Sequence, residues 1–165
     1  MTKNIYFAAL LIVLLSLSGC SGYKPIFSSN NLDFTITEYT INGNKSLGKQ
    51  LYSKLYNLSK SKKIDKDRNI ILLIDMSSNK NETSKDSTGK VLEYKITLNT
   101  KIEIRDSSNN SIILNEVFTR SSSYKVQSQY SETLKLENTS TENLINQAYQ
   151  DILMKFAQNI GQQWL

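Results

Sequence analysis

The feature that most constrains the fold is a long stretch of alternating residues, Val91–Arg105. A period of two is the pattern of a β-strand with one buried face and one exposed face. We therefore predict a long strand that is covered on one side only. The residues predicted on its buried face are Leu92, Tyr94, Ile96, Leu98, Thr100, Ile102 and Ile104. Those predicted on its open face are Glu93, Lys95, Thr97, Asn99, Lys101, Glu103 and Arg105.

Three more strands are predicted around this one. Leu32–Ile41 alternates and ends at a turn, while Asn69–Met76 is almost continuously apolar, as expected of a central strand. Ile112–Val126 follows the long strand after a short turn and completes a hairpin with it. The polar segment Ser77–Gly89 has no periodicity, so we predict a mobile loop there.

Two helices complete the pattern. Ser46–Lys60 carries leucines at helical spacing, at Leu47, Leu51, Leu55 and Leu58. Thr139 and Glu142 have the spacing of a capping box, which predicts the start of a second helix that runs to the end of the chain. Its apolar side is predicted to hold Ile145, Tyr149, Ile152, Phe156 and Ile160.

The element order is therefore β-α-β-β-β-α, an α+β fold. The first strand-helix-strand unit predicts two parallel strands, because such crossovers join parallel neighbours. The remaining strands extend the sheet antiparallel. We expect a four-stranded mixed sheet with two helices packed on one face.

The N-terminus predicts an exported, lipid-anchored protein. The uncharged run Ile5–Leu15 is too short to span a bilayer, which needs about 20 apolar residues, and suits the middle of a signal peptide. Leu17-Ser18-Gly19-Cys20 resembles a bacterial lipobox. We predict a signal peptide over residues 1–19, lipidation at Cys20, a lipidated lead over 20–31 and a single domain over 32–165. An ordinary secretory signal or a short membrane anchor is the alternative.

The single cysteine and the net charge bound the partners. A lone cysteine cannot form an intramolecular disulfide, which agrees with a thiol used for lipidation. The formal charge of +5 favours an anionic partner. In an exported protein that means anionic lipid or polysaccharide, and no nucleic acid is expected.

The chain offers little catalytic chemistry. It contains no histidine, which excludes Ser-His-Asp and Cys-His arrangements and histidine-liganded zinc. Asp65 and Asp67 lack the further oxygen donors of a calcium loop, so a solvated turn is expected there. No glycine-rich phosphate loop is present. We expect no enzymatic activity, no cofactor and no metal site.

The open face of the long strand has two interpretations. Its charges can balance one another across strands on a solvated surface. Alternatively, the face contacts a partner wall or an anionic ligand, since helices on one side only leave it uncovered. The sequence leaves both open.

Several segments resemble one family. The run Gly22–Phe27, directly after the lipobox, is similar to the start of the alphaproteobacterial form of LptE, the lipopolysaccharide-assembly lipoprotein. Glu93–Leu98 and Glu116–Arg120 resemble the long strand and the return strand of that family, and Glu142–Ile160 resembles its last helix. The family fold, two helices on one side of a four-stranded sheet, agrees with the order of elements predicted here.

The resemblance implies a non-enzymatic role. LptE sits inside the lumen of the outer-membrane β-barrel protein LptD, assists its assembly and helps deliver lipopolysaccharide to the outer leaflet. The candidate lipopolysaccharide-binding residues that it suggests here are Lys90 and Lys135. Outer-membrane sorting is expected because Ser21, and not an aspartate, follows the lipidated cysteine.

Two alternatives stay open. The chain could be an unrelated envelope lipoprotein that acts as a structural or scaffold module. Pro25 restricts the backbone of the lead to extended geometry, so Tyr23 and Phe27 are placed to pack against something. The sequence does not decide between their own domain and the surrounding barrel.

Overall fold

The computed structural model describes residues 32–60 and 68–162. The signal peptide, Cys20 and the lead lie outside these residues, as do Asp65 and Asp67. The elements are β1 (Thr35–Gly43), α1 (Lys45–Lys60), β2 (Asn69–Lys85), β3 (Val91–Asp106), β4 (Ile112–Lys125) and α2 (Tyr130–Gln162).

The sheet has the predicted topology. Its order is β1-β2-β3-β4, with β1 parallel to β2 and the other neighbours antiparallel. One core contains apolar residues from both helices and from one face of the sheet. The predicted α+β class, the mixed sheet and the placement of both helices on one face are confirmed.

The alternation of β3 is confirmed over most of its length. Its buried residues Ile96, Leu98, Thr100, Ile102 and Ile104 are each at most 3% exposed. Leu92 belongs to the same face but is 43% exposed. The helices therefore cover the sheet fully at one end and leave it partly open where β3 begins.

The predicted loop over Ser77–Gly89 is wrong, because β2 continues to Lys85 and pairs with β3 throughout. This half of β2 is polar on both faces, so its sequence shows no alternation, and the backbone ladder to β3 holds it extended. The turn follows at Asp86, whose carboxylate accepts hydrogen bonds from the backbone N–H groups of Thr88 and Lys90. The hydrogen bonds from Thr88 lower the pKa of Asp86.

Strand β1 is much shorter than β2 and leaves the sheet at Gly43. Its φ of +66° lies in the left-handed region, and an added Cβ would lie 2.2 Å from the backbone oxygen of Met76. The Asn44 amide then donates to that oxygen, and the Asn44 side chain caps α1 through the amides of Ser46 and Leu47. Beyond Met76, β2 has no β1 residue beside it.

The predicted capping box at Thr139 and Glu142 is also wrong, because α2 already begins at Tyr130. Both residues lie inside the helix. The neighbouring hydroxyl of Thr141 donates to the Glu137 carbonyl one turn earlier, which is how a threonine is accommodated in a helix interior. The start of α2 is instead fixed by Thr133, whose hydroxyl accepts a hydrogen bond from the Gln127 amide.

Candidate functional site

A cleft of about 440 Å³ lies at the end of the sheet where β3 begins and β4 leads into α2. Two cationic residues, Lys80 and Lys90, line it together with Glu137. Its aromatic and apolar walls include Tyr94, Tyr130 and Leu134. Four separate parts of the chain thus meet around one space.

A network of three polar side chains forms the inner wall of the cleft. The Lys80 ammonium of β2 lies 2.5 Å from Oε2 of Glu137 on α2. The Tyr124 hydroxyl of β4 donates to the same oxygen at 2.8 Å. One carboxylate on the helix therefore holds two strands of the sheet.

Two stacked tyrosines support the ammonium group. Tyr94 and Tyr124 are direct neighbours across β3 and β4, and their ring centroids are 5.8 Å apart. Lys80 Nζ lies 4.4 Å from the Tyr94 centroid and 5.6 Å from the Tyr124 centroid. Such cation–π contacts favour a positive charge at this point.

The network keeps its charges separated. Partial burial alone would lower the pKa of Lys80, but hydrogen bonds to Glu137 and Tyr124, with the Glu137 charge, raise it well above its usual value. Burial opposes ionisation of Glu137, yet Lys80 and Tyr124 hold the pKa of this carboxyl below its usual range. Burial and the bond to Glu137 raise the pKa of Tyr124. At neutral pH the site contains an ammonium, a carboxylate and a neutral phenol.

The rim of the cleft is apolar and exposed. Tyr130 is 80% exposed, and Leu92 and Leu134 are each more than two-fifths exposed. Large apolar side chains in water beside cations make an amphiphilic surface. Surfaces of this kind mark binding sites more often than they mark inert surface.

The two predicted lipopolysaccharide-binding lysines have different surroundings. Lys90 lines the cleft. Lys135 is exposed on α2, next to the cleft residue Leu134, but does not line the cleft itself. The sequence did not identify Lys80, because its segment had been assigned to a loop, and Glu137 belonged to a stretch with no readable periodicity.

A second, shallower cleft of about 350 Å³ lies where α2 crosses β4. Arg120 donates two hydrogen bonds of 2.7 Å to the two carboxylate oxygens of Asp151. This bidentate pair fixes the helix to the strand. Farther along, the Asn159 side chain donates to the Ile113 carbonyl at 2.8 Å, so α2 is attached to β4 at two separate levels.

The sheet face opposite the helices is polar. On β3 it carries the predicted open-face residues, of which Lys95 and Lys101 are exposed. Glu103 and Arg105 form an ion pair on this face, and Thr119 of β4 donates to Asn99 at 2.8 Å. The face therefore balances part of its charge internally and leaves lysines free to contact solvent or a partner.

No group of three or more acidic or cysteine residues suited to a metal ion occurs within residues 32–60 and 68–162. Over those same ranges, no helix has both the length and the apolar character needed to cross a membrane.

Several solved bacterial lipoproteins have this fold. Rare lipoprotein B from Shewanella oneidensis is 17% identical, with a TM-score of 0.55 over 78% of this chain and 99% of that one. A minor lipoprotein from Acinetobacter baumannii is also 17% identical, with a TM-score of 0.54 over 77% of this chain and 92% of that one. An uncharacterized lipoprotein B from Nitrosomonas europaea is 19% identical, with a TM-score of 0.51 over 74% and 81% of the two chains.

These similarities define the architecture: the chain has the fold of LptE-like lipoproteins such as rare lipoprotein B. The fold expected from the LptE resemblance is thus confirmed. The chain matches no protein-family model and no curated protein. At these identities the similarity concerns the fold, and the role of the cleft has to be argued from its chemistry.

Proposed function

We propose that this protein is an outer-membrane lipoprotein that partners an LptD-like β-barrel and helps deliver lipopolysaccharide to the outer leaflet. The observation that carries the proposal is the amphiphilic cleft, in which Lys80 and Lys90 lie beside the exposed Tyr130 and Leu134. Lipopolysaccharide is an amphiphile with anionic phosphates and acyl chains. Both halves of such a ligand have a matching surface in the cleft.

The cations would bind the phosphates. Charge-assisted hydrogen bonds between ammonium and phosphate are among the stronger polar contacts in proteins. Lys90 lines the cleft and has an exposed side chain. Lys80 would remain close to Glu137, so the carboxylate orients this ammonium while the phosphate approaches its exposed side.

The apolar rim would contact acyl chains. Removing apolar surface from water contributes about 25 cal/mol per Å². Tyr130, Leu92 and Leu134 expose such surface at the cleft entrance. Binding there would cover apolar side chains that the fold itself leaves in water.

The open sheet face supports the barrel partner. A surface of hydroxyl, amide and charged side chains suits the hydrated interior of a large barrel. Lipidation of Cys20 would anchor the chain in the inner leaflet of the outer membrane, facing the periplasm. In this proposal the protein has no catalytic activity and binds no cofactor or nucleic acid.

Lipopolysaccharide binding tests the cleft. With purified protein and fluorescently labelled lipopolysaccharide, Lys80→Gln combined with Lys90→Glu should raise Kd by about tenfold, the loss expected for one or two charge-assisted contacts. Lys101→Glu is the matched control, because it reverses an exposed charge on the opposite face. Equal affinity of the cleft variant and the control would contradict the proposal.

Recovery of partners tests the barrel. Affinity purification of the chain from membranes should recover an LptD-like barrel protein in about equal amount. Recovery of another envelope protein instead would favour the alternative, a structural or scaffold module.

A further inference from the structure

Three tyrosines form a continuous row on the surface of the domain. Tyr39 of β1 stacks on Tyr52 of α1 with centroids 4.0 Å apart and rings inclined by 23°. Tyr52 stacks in turn on Tyr56, one helical turn farther on, at 5.6 Å. Lys60 Nζ lies 4.5 Å from the Tyr56 centroid and ends the row. We call Tyr39, Tyr52 and Tyr56 the tyrosine row.

The row borders the edge of the sheet. Gly48 precedes Tyr52 by one turn on the same flank of α1, and a Cβ added there would lie 2.3 Å from Ile41 of β1. This flank therefore faces β1, which is an edge strand. Tyr39 remains 53% exposed, and Tyr52 and Tyr56 are only partly buried. The row presents aromatic surface that the core does not use.

The Lys60 end of the row lies where the chain enters β1. Thr35 pairs with Asn69, so β1 and β2 start at the same end of the sheet. Because α1 connects the end of β1 to the start of β2, its last residue, Lys60, returns to that end. Leu32 is 3% exposed, which fixes the chain in the core just before β1. Whatever precedes Leu32 begins beside the row.

We infer that the tyrosine row is the docking surface for Tyr23–Phe27 of the same chain. Phe27 precedes Leu32 by so few residues that an extended chain keeps it within about 17 Å of the start of the domain. The stretch of α1 from Tyr52 to Lys60 is about 12 Å long. The row is thus within reach of the whole Tyr23–Phe27 segment.

The segment has the chemistry that such a surface binds. Pro25 fixes its own φ and keeps Lys24 extended, which favours polyproline-like geometry. Extended proline-containing segments dock on surfaces built from tyrosine rings, and their preset geometry lowers the entropy lost on binding. Tyr23 and Phe27 add two more aromatic rings to the contact.

Docking would set the orientation of the domain on its lipid anchor. Only Ser21 and Gly22 would separate the docked segment from Cys20. The end of the sheet where β1 begins would then lie at the membrane surface. This inference does not depend on what binds in the cleft, so the two can fail separately.

A double-mutant cycle on the acylated full chain in detergent tests the contact. Phe27→Ala and Tyr39→Ala should each lower Tm, and the double variant should have nearly the Tm of the less stable single variant, because both remove one contact. Tyr130→Ala is the matched control: it removes an exposed tyrosine at the cleft, and its shift should add to that of Phe27→Ala. Additive shifts for Phe27→Ala and Tyr39→Ala would overturn the inference.

Cross-linking identifies the occupant directly. With a photo-reactive benzoylphenylalanine at position 27, mass spectrometry should find adducts on the peptide that contains Tyr52 and Tyr56 of the same chain. Mixing isotopically labelled and unlabelled protein separates this result from contact between two copies. Adducts mainly with a second copy, or with a barrel protein when the reaction is run in membranes, would overturn the assignment.

Discussion

Lys80 of β2 and Glu137 of α2 meet at 2.5 Å beside the stacked rings of Tyr94 and Tyr124. The pair is the strongest polar link between the far half of the sheet and the second helix. It also provides a cation and its orienting carboxylate at the wall of the cleft. One ion pair therefore contributes to both the stability of this end and its capacity to bind anions.

Lys80→Met should lower the free energy of unfolding by about 1 kcal/mol, because it removes a partly exposed ion pair and leaves Glu137 with Tyr124 alone. Lys85→Met is the matched control. Its ion pair with Glu82 is more exposed than that of Lys80 and should contribute little. Urea denaturation measures both variants, and equal losses of stability would contradict the importance given to the Lys80 pair.

Stability should depend on the ionisation of Glu137. The pKa of this carboxyl is lower in the folded state, so its contribution is complete above the unfolded value of about 4.3 and is lost as pH falls through the folded pKa. The wild type should therefore exceed Glu137→Gln in urea midpoint at neutral pH, and the gap should narrow under acid conditions. Glu142→Gln, an exposed change on the same helix, is the control. A gap that widens on acidification would refute the assignment.

Thr100→Val should stabilise the protein by about 1 kcal/mol. Thr100 is fully buried, and its hydroxyl has no hydrogen-bond partner in the described part of the chain. Valine keeps the shape and removes the unsatisfied polar group. Thr100→Ala should instead lower Tm, because it leaves a small cavity. Thermal unfolding of both variants distinguishes the lost hydroxyl from lost packing, and a lower Tm for Thr100→Val would mean that the hydroxyl is satisfied.

Lys90→Glu should weaken lipopolysaccharide binding more than Lys135→Glu. Both lysines were candidates from the sequence, but Lys90 lines the cleft whereas Lys135 lies beside it on α2. We expect about a tenfold rise in Kd for Lys90→Glu and a smaller one for Lys135→Glu. Titration with labelled lipopolysaccharide at one fixed ionic strength measures both. The reverse order would place the phosphate contact on the outer side of α2.

The sequence predicted those elements in which one face is covered and the other is not. The alternation of Val91–Arg105 and the leucines of Ser46–Lys60 record that difference directly, and both elements are observed. Ser77–Lys85 and the first turns of α2 could not be predicted in the same way. There the covering is incomplete, and backbone pairing and helix hydrogen bonds, which leave no pattern in side chains, hold the chain.

The cleft was harder to predict than the fold. Lys80, Tyr94, Tyr124 and Glu137 come from four different elements, and none belongs to a local motif. Tyr94 was assigned to the correct face of β3, but its neighbours depended on strand register and on the early start of α2. Lys90 was found only because the family resemblance pointed to the turn before the long strand.

The length of β2 has a consequence for the scale of the molecule. At about 3.3 Å per residue, its 17 residues extend roughly 55 Å from the start of β1 to the Asp86–Gly89 turn beside the cleft. A bilayer with its headgroups is about 40–45 Å thick. A single uninterrupted strand is therefore long enough to hold one end of the domain at one membrane surface and the cleft at the other.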